Sequence, residues 1–332
     1  MSKGAASGYN VLAATNEGDS RRDVVASELA YYGMPTFCKF PFTQALDGVD
    51  VAVVGVPQDQ AVTNRPGARF GPRAIRAASQ LYGEVFEPEL GLYDIELGRH
   101  ILGGASIVDF GDVPIAPVLH ETNMNIITDV YGGIVQRGVL PVTLGGDHSI
   151  SFPIVRAFEG VDLDIVHFDT HLDFMDDVND MGMKYTHANP IKRISELENV
   201  HGITQIGMRG LETPKFDHDY AVSQGNRVIT TREVMDGGAG RVLEQIPAAE
   251  NLYVTIDIDV LDPSVAPGTG TPEPGGLSYN QLKDMVIRLP EKGRIMGFEI
   301  VEVCPPYDHA EMTSLVAARL ALDLMGAILE RK

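Results

Sequence analysis

The chain alternates short strand-like runs with helical segments along almost its whole length. Eight runs rich in β-branched residues, each bounded by Gly, Pro, Asp or Asn, lie at 50–56, 105–110, 139–144, 163–168, 202–207, 226–230, 252–257 and 294–301. Segments with helical periodicity lie between most of them, for example at 71–83 and 121–138. This order predicts βαβ units and a mostly parallel sheet. A closed barrel and an open doubly wound sheet both satisfy the pattern, and both place ligands at the C-terminal strand ends.

The same pattern predicts the domain boundaries. The segment 309–332 has apolar residues at i, i+3, i+4 and i+7 and basic residues at its end, which predicts a closing helix. No repeat or linker divides the remainder, so residues 46–332 are expected to form a single α/β domain. Residues 1–45 are expected to form an N-terminal arm or lid, ordered from about GMPTFCKFPF at 33–42 onward.

Composition bounds the partners and the compartment. The chain has 46 acidic and 26 basic residues in 332, a net charge of -20, which argues against nucleic acid or an anionic membrane surface as partner. No stretch reaches the ~18 apolar residues of a membrane span. Two cysteines, Cys38 and Cys304, are too few for a disulfide framework. These features predict a soluble protein of the cytoplasm.

Acids and histidines follow three of the predicted strands. The segments are PVTLGGDHS with His148, DIVHFDTHLDF with Asp169, His171 and Asp173, and LYVTIDIDVLDP with Asp257 and Asp259. If the strands are neighbours, about six oxygen and nitrogen ligands meet at one crevice. Clustered carboxylates repel one another unless a cation neutralises them. The oxygen-rich set suits Mn²⁺, with Ni²⁺, Fe²⁺ or Co²⁺ as alternatives, and six ligands predict two ions ~3.5–4 Å apart.

Neighbouring polar residues have simpler interpretations. His167 precedes the first candidate ligand, and we predict that it packs or donates a hydrogen bond to a ligand. Asp262 stands before a proline and is interpreted as a turn residue. The remaining histidines outside the motifs, at 100, 120, 201, 218 and 309, are interpreted as surface or packing residues.

Five ordered motifs resemble the ureohydrolase family of arginases, agmatinases and guanidino-acid hydrolases. They are GVPQDQAVTNRPGARFGPRAIR at 55–76, GGDHS, DTHLD, DIDVLDPSVAPGTGTPEPGG and GFEIVEVCPPYD at 297–308. The likeness runs from about residue 30 to the C-terminus, on the agmatinase and guanidinobutyrase side of the family. It implies a three-layer α/β/α fold with an open, mostly parallel eight-stranded sheet, and not the barrel. Residues 46–332 would then be the catalytic domain.

The resemblance also implies a ligand set for two ions. The ligands would be His148 and Asp173 for one ion, His171 and Asp259 for the other, and Asp169 and Asp257 as bridges. Manganese is the usual metal of the family and nickel an occasional one. The protomers would form homo-trimers or hexamers. Because Asp169 would hold both ions, it is counted among the catalytic residues.

The reaction implied is attack of a metal-bound hydroxide on a guanidinium carbon. Glu302 is predicted to hold the planar guanidinium through charge-assisted hydrogen bonds. His187, in KYTHANP, is predicted to deliver a proton to the leaving amine. The resemblance places Thr271 near the guanidinium and Asn64 at the substrate's tail. Ala188 stands where the family has a glycine, which is a departure in the active-site loop.

The predicted function is hydrolysis of a guanidino compound to urea and an amine. Loops 58–66, 174–187 and 210–216 are expected to read the tail. The Asn-Arg-Pro-Gly form of the first loop resembles enzymes acting on guanidino acids such as 4-guanidinobutyrate, with Arg65 or Arg69 as candidates to bind the carboxylate. Agmatine is next, because the second loop is acidic through Asp176, Asp177 and Asp180.

Two further alternatives stay open. Ala188 and Leu172 leave room for an unusual substrate, such as free guanidine, a biguanide or a formimino compound. Outside enzymes, the chain could be a non-catalytic subunit of a hetero-oligomer with a paralogue. The complete ligand set argues against that alternative, and urea release by the purified chain would discriminate the two.

Overall fold

The computed structural model describes residues 29–31 and 33–331 and forms three layers, with helices on both faces of an eight-stranded parallel sheet. The strands are β1 (Val51–Gly55), β2 (Gly91–Asp94), β3 (Arg99–Leu102), β4 (Ile107–Asp112), β5 (Leu140–Leu144), β6 (Leu163–Phe168), β7 (Val200–Met208), β8 (Arg227–Thr230), β9 (Asn251–Asp257) and β10 (Arg294–Val301). The helices are α1 (Gly71–Gly83), α2 (His120–Val135), α3 (Ser151–Arg156), α4 (Pro190–Ile194), α5 (Lys215–Ser223), α6 (Thr231–Gln245), α7 (Tyr279–Val286) and α8 (Met312–Leu329).

The large sheet is open, with the order β4-β1-β5-β10-β9-β6-β7-β8, and every pairing in it is parallel. The predicted open three-layer fold is therefore confirmed, and the barrel is excluded. Strands β2 and β3 form a separate antiparallel pair that the sequence analysis did not predict. The four central strands of the sheet are β5, β10, β9 and β6, and the candidate site lies at their C-terminal ends.

Alternation along the strands divides the apolar residues between two cores. In β1, Val51 and Val53 face one core, whereas Ala52 and Val54 face the other. Helices α1, α6, α7 and α8 cover the first core, and α2, α3, α4 and α5 cover the second. Because both faces of the sheet are covered, β1 and β5 are buried at every position, which explains why β1 is apolar throughout and β5 is apolar except at Thr143.

The chain before the first strand contributes to the core. Phe37 and Phe40 are buried in the first core, and a short 3₁₀ helix at Phe37–Lys39 packs on α1. The predicted arm or lid covers residues 1–45, of which 1–28 and 32 lie outside the described residues. The boundary at residue 45 stays a prediction.

The closing helix α8 has an apolar sequence because of its position in the core. By length and composition alone this helix could cross a membrane, but 72% of its apolar window is buried inside the protein. Its buried residues, such as Leu320 and Leu324, pack with α1 and α7 against the sheet. The predicted helix at 309–332 is thus found at Met312–Leu329.

Candidate metal centre and active site

The GGDHS segment brings its histidine close to the neighbouring strand because two glycines permit the approach. A Cβ on Gly145 would lie 2.6 Å from the side chain of Val301, and one on Gly146 would lie 1.9 Å from the carbonyl oxygen of Gln58. Only glycine fits such distances. After these glycines, a 3₁₀ turn at His148–Ile150 begins and directs His148 into the interior, where it is fully buried.

Two acids at strand ends position the ligand two residues further on. Asp169 directly follows β6 and accepts a hydrogen bond from the His171 amide at 2.5 Å. Asp257 ends β9 and accepts one from the Asp259 amide at 2.9 Å. A short acidic side chain that caps the amide of residue i+2 closes a compact turn. Each Asp-x-His or Asp-x-Asp motif therefore folds both of its polar side chains towards the same crevice.

The structure brings together all six residues predicted to bind metal. In one cluster, Nδ1 of His148 lies 2.9 Å from Asp173, 3.1 Å from Asp169 Oδ2 and 3.3 Å from Asp257 Oδ2. In the other, Nδ1 of His171 lies 3.4 Å from Asp169 Oδ1 and 3.3 Å from Asp259 Oδ2. Asp169 thus offers one oxygen to each cluster, as a bridging carboxylate does. Oδ2 of Asp257 faces the first cluster, whereas its Oδ1 accepts the Asp259 amide, so the bridging role of Asp257 stays a prediction.

The electrostatics of these clusters fit a divalent cation. The buried Nδ1 of His148 has no hydrogen-bond partner, although three carboxylates surround it. Burial, with the charges of Asp259 and Asp169, raises the pKa of Asp257 well above its usual value. Burial, with the charge of Asp169, also raises the pKa of Asp259 to about 6. The donors are carboxylate oxygens and imidazole nitrogens without a thiolate, a set that suits a hard or intermediate divalent ion.

His167 lies in the same cluster as three of the candidate ligands, His148, Asp169 and Asp173. Its Nε2 is 2.8 Å from Asp169 Oδ2, so it hydrogen-bonds a ligand. His148 is held in a comparable way, because its Nε2 is 2.8 Å from the hydroxyl of Thr255 on β9. A second polar contact of this kind fixes the direction in which a ligating group points its free lone pair.

Glu302 and His187 form a buried pair beside the first cluster. Glu302 follows β10 with φ at 62°, and its Oε1 accepts the His148 amide at 2.8 Å. The same oxygen is 3.1 Å from Nδ1 of His187, while Oε2 is buried without a partner. Burial opposes protonation of His187, but the bond to Glu302 and its charge raise the pKa of His187 to about 9. His187 in turn lowers the pKa of Glu302 against the opposing effect of burial.

Thr63 contacts His187 of this pair and was not identified from the sequence. Its amide nitrogen is 2.9 Å, and its hydroxyl 2.8 Å, from Nε2 of His187. An amide only donates, so Nε2 accepts and the proton of the neutral imidazole lies on Nδ1, facing Glu302. Thr63 precedes Asn64 in a loop that shows no regular structure, and the sequence held no pattern that linked it to a histidine 124 residues away.

A cavity of about 440 Å³ opens from the metal centre to the surface. Its walls come from the three predicted loops, and include Asn64, Asn179, Thr213 and the two predicted substrate contacts His187 and Thr271. Leu172, Phe174, Met175, Val178 and Ala188 make part of the lining apolar. Glu302 itself lies behind this cavity and is 1% exposed.

The charged residues that the sequence assigned to this cavity have other contacts. Arg65 donates to the carbonyl oxygens of Gly270 at 2.9 Å and Thr269 at 2.8 Å, and it lies 4.4 Å above the ring of Tyr307. Arg69 pairs with Asp59. Neither arginine lines the cavity, so the structure gives neither a place to bind a substrate carboxylate.

The acids of the second loop are also occupied, and two other acids replace them. Asp176 pairs with Arg193 at 2.5 Å, and Asp177 accepts two backbone amides of its own loop. The side chain of Asp180 lies outside the described part of the chain. Glu212 and Asp217 line the cavity instead. Among its lining residues that the structure describes, there is no lysine or arginine.

Comparison with known proteins agrees with this geometry. The chain is 35% identical to the human mitochondrial guanidino acid hydrolase over 89% of this chain and 83% of that protein. It is 35% identical to guanidinobutyrase of Pseudomonas aeruginosa, with 88% and 92% covered. A crystal structure of a hypothetical agmatinase from Burkholderia thailandensis superposes with a TM-score of 0.80 at 34% identity, with 91% and 92% covered. The model of the family described as Arginase family matches residues 49–326, and the chain therefore belongs to this family of metal-dependent hydrolases of guanidino compounds.

Proposed function

We propose that this chain hydrolyses a small guanidino compound to urea and an amine at a centre of two divalent ions. The ions would be held by His148 and Asp173, by His171 and Asp259, and by Asp169 and Asp257 as shared ligands. The observation that carries the proposal is the buried Nδ1 of His148, which has three carboxylates within 3.3 Å and no hydrogen-bond partner. When bound, a pair of divalent ions lowers the pKa of a shared water towards neutrality and so supplies the nucleophile.

Glu302 is proposed to bind and orient the guanidinium. Its Oε1 is held by the His148 amide and by His187, and its Oε2 is buried with no partner in the described structure. An ionised carboxylate oxygen in that position accepts a charge-assisted hydrogen bond from a planar cation. The first contact fixes the carboxylate beside the metal ligands, so the guanidinium carbon would be presented to that centre.

His187 is proposed to hold the proton that the leaving amine requires. Because Thr63 donates to Nε2, the proton of the neutral ring lies on Nδ1, 3.1 Å from Glu302. A second proton at Nε2 would displace the hydrogen bond from the Thr63 amide and be donated to the Thr63 hydroxyl instead. The imidazole can therefore gain and lose a proton without leaving the side of the substrate. Thr271, whose hydroxyl is 3.4 Å from Asp259 Oδ2, is proposed to contact the guanidinium.

Manganese is the proposed metal, with nickel next, because carboxylate oxygens outnumber imidazoles in the centre. The proposed assembly is a homo-trimer or hexamer, and a hetero-oligomer with a paralogue is the alternative. The support for this assembly is the family resemblance. We propose the cytoplasm as its location, which agrees with Cys38 and Cys304 being free and buried. A relative named as mitochondrial shows that other compartments occur in the family.

A guanidino acid such as 4-guanidinobutyrate is the first proposed substrate. The support is the Asn-Arg-Pro-Gly loop and the similarity to proteins named guanidino acid hydrolase and guanidinobutyrase. With Arg65 and Arg69 in other contacts, uncharged donors would have to bind the carboxylate. Asn64 and Asn179 line the cavity and are suited to that role.

Agmatine is the second proposed substrate because of a specific observation. Glu212 and Asp217 line the cavity, and its described lining has no lysine or arginine to offset them. Such a cavity attracts a cationic tail and repels a carboxylate. The side chain of Glu212 is 66% exposed, so solvent screens part of its negative potential. The urea-release panel below decides between agmatine and 4-guanidinobutyrate.

The test is urea release by the purified chain from a guanidine panel, with added Mn²⁺ or Ni²⁺. The panel contains 4-guanidinobutyrate, agmatine, free guanidine and a biguanide. Asp217→Asn is the discriminating variant, because Glu212 lies 3.6 Å from Nε2 of the candidate ligand His171. We expect Asp217→Asn to lower kcat/KM for agmatine and to leave or raise it for 4-guanidinobutyrate. A chain that binds these compounds with metal present and releases no urea from any of them would contradict the proposal and favour a non-catalytic subunit.

A further inference from the structure

A row of buried polar side chains lies behind Asp169 and crosses three neighbouring strands. His167 is on β6, Gln205 on β7 and Asn226 directly before β8, and these strands are adjacent in the sheet. His167, Gln205 and Asp169 are 0% exposed and Asn226 is 8% exposed. Burying polar groups at such depth costs free energy unless they form hydrogen bonds, so each of these side chains is expected to have a partner.

The backbone of Leu172 fixes the orientation of Gln205. Nε2 of Gln205 is 2.7 Å from the Leu172 carbonyl oxygen, which can only accept, so the amide group of Gln205 must be the donor there. The Gln205 oxygen then faces Nδ2 of Asn226 at 3.1 Å and accepts from it. All the hydrogen bonds of this amide are thereby assigned, and its nitrogen also faces Nδ1 of His167 at 3.1 Å.

The orientation of Gln205 determines which nitrogen of His167 carries the proton. Because Nδ1 faces an amide donor, it must be the unprotonated nitrogen. The proton of the neutral ring is consequently on Nε2, which lies 2.8 Å from Asp169 Oδ2 and donates to it. Both ring nitrogens are therefore engaged, and His167 has no lone pair left for a metal ion, although it lies within the first ligand cluster.

The hydrogen bonds to Asp169 determine which of its lone pairs remain free. An ionised carboxylate has about four lone-pair sites, two on each oxygen. The Nε2–H group of His167 takes one on Oδ2, and the His171 amide takes one on Oδ1. One site remains on each oxygen, and Oδ2 faces the His148 cluster while Oδ1 faces the His171 cluster.

We propose that Asn226, Gln205 and His167 are positioning residues that reserve one lone pair on each oxygen of Asp169 for a separate divalent ion. This inference rests on the proposed function, because it takes Asp169 to be the bridging ligand. The row fixes the rotation of Asp169 about the Cβ–Cγ bond and excludes His167 as a competing ligand. None of the three touches substrate.

The experiment compares Gln205→Met with a matched control, Gln80→Met, in the full chain. Gln80 is also buried, at 6% exposure, and donates to the backbone carbonyls of Thr36 and Arg76 on another part of the molecule. Mn²⁺ affinity is measured by competition with a chelator, without substrate. We expect Gln205→Met to bind Mn²⁺ about 10- to 100-fold more weakly and Gln80→Met to match the wild type. Wild-type affinity in Gln205→Met, or an equal loss in both variants, would overturn the inference.

A second measurement tests the protonation of His167 and needs no substitution at Gln205. Imidazole ¹⁵N shifts of histidine-labelled, metal-free protein distinguish the two neutral tautomers. We expect the wild-type ring to be protonated at Nε2, because the Gln205 amide group faces Nδ1 as a donor. A wild-type ring protonated at Nδ1 would refute the assignment.

These measurements also separate the inference from the proposed function. Neither the chelator competition nor the ¹⁵N shifts involves substrate. If the chain releases no urea but Gln205→Met weakens metal binding, the positioning role stands and the proposed reaction fails. If urea release is normal and Gln205→Met binds Mn²⁺ as the wild type does, the reaction stands and the positioning role fails.

Discussion

Replacing Glu302 by glutamine removes the charge that we expect to hold the guanidinium, with little change of shape. Glutamine can keep its oxygen in the position of Oε1, where the His148 amide donates at 2.8 Å and His187 lies at 3.1 Å. Its NH₂ group then takes the place of Oε2, the buried oxygen without a partner. A donor there cannot accept from the substrate, so the metal ligands keep their positions while the substrate loses its anchor.

The size of the effect follows from that exchange. Hydrogen bonds to charged groups contribute about 1.5–3 kcal/mol, and removing one member of a buried charge pair costs about 2–5 kcal/mol. For Glu302→Gln we expect a loss of about 2–4 kcal/mol in transition-state stabilisation. At about 1.36 kcal/mol per tenfold change, kcat/KM falls roughly 30- to 900-fold. Because Glu302 raises the pKa of His187 to about 9 against the effect of burial, the alkaline limb of the pH profile should move to lower pH.

The assay is urea release across substrate concentration and pH, with metal content measured on the same samples. Asp323→Asn is the matched control, because Asp323 on α8 is also a buried acid, at 4% exposure, and it contacts the hydroxyl of Tyr279 and Arg319 away from the candidate site. With saturating metal, this control should keep kcat/KM near the wild-type value. Glu302→Gln with full metal content and unchanged kcat/KM would refute the anchoring role.

Two further predictions concern the metal centre. Asp169→Asn and Asp257→Asn should each remove a bridging charge, lower the bound metal below two ions per chain and abolish urea release; full metal content with normal turnover, by elemental analysis and assay, would exclude bridging. Chelation should make unfolding pH-dependent, because burial and Asp169 raise the pKa of Asp259 from 3.8 to about 6. The free energy of unfolding of the metal-free protein then falls by up to roughly 3 kcal/mol as pH rises from about 4 to 6. The carboxylates raise the pKa values of His148 and His171 against burial, so deprotonation of these histidines also lowers the free energy of unfolding, at higher pH. The lowered pKa of Asp169 acts in the opposite direction, because its contribution is lost as pH falls. Urea unfolding at pH 5 and pH 8, with and without metal, measures this; equal stability of the chelated protein at both would contradict it.

The sequence predicted the sheet well because its strands lie between two layers of helices. A strand covered on both faces must be apolar at consecutive positions, and β1 and β5 are buried throughout. Such runs contrast clearly with the helices and turns between them. The choice between an open sheet and a closed barrel, by contrast, depends on contacts between segments distant in sequence, so it came only from the family resemblance.

The missed elements lack that contrast. Strands β2 and β3 have four residues each and pair only with each other, so one face of the pair stays exposed, including Tyr93. Helix α6 contains glycines, with Gly238 at φ 69°, which weakens its periodicity. A capping box formed by Thr230 and Glu233 marks its beginning, and that Thr-x-x-Glu pattern was present in the sequence.

The meeting of the candidate metal ligands was predictable and the contacts of the loop arginines were not, for a physical reason. Each ligand lies within a few residues of a strand end, and the sheet fixes where strand ends go. Arg65 lies in a loop, and its partners are the carbonyls of Thr269 and Gly270 and the ring of Tyr307, more than 200 residues away in sequence. No local pattern shows whether such an arginine faces a substrate or the backbone of another loop.

The spacing of the ligands, finally, depends on turns and not on the pleat of a strand. His167, Asp169, His171 and Asp173 alternate along the chain as side chains on one face of a strand do, but β6 ends at Phe168. Asp169 and Asp257 instead each accept the amide of residue i+2, which brings the next ligand round. An asparagine oxygen can accept the same amide, so Asp→Asn at either position preserves the turn while it removes the charge and replaces the other oxygen by an NH₂ group. Loss of metal in those variants would therefore measure the carboxylate as a ligand, separately from the fold of the loop.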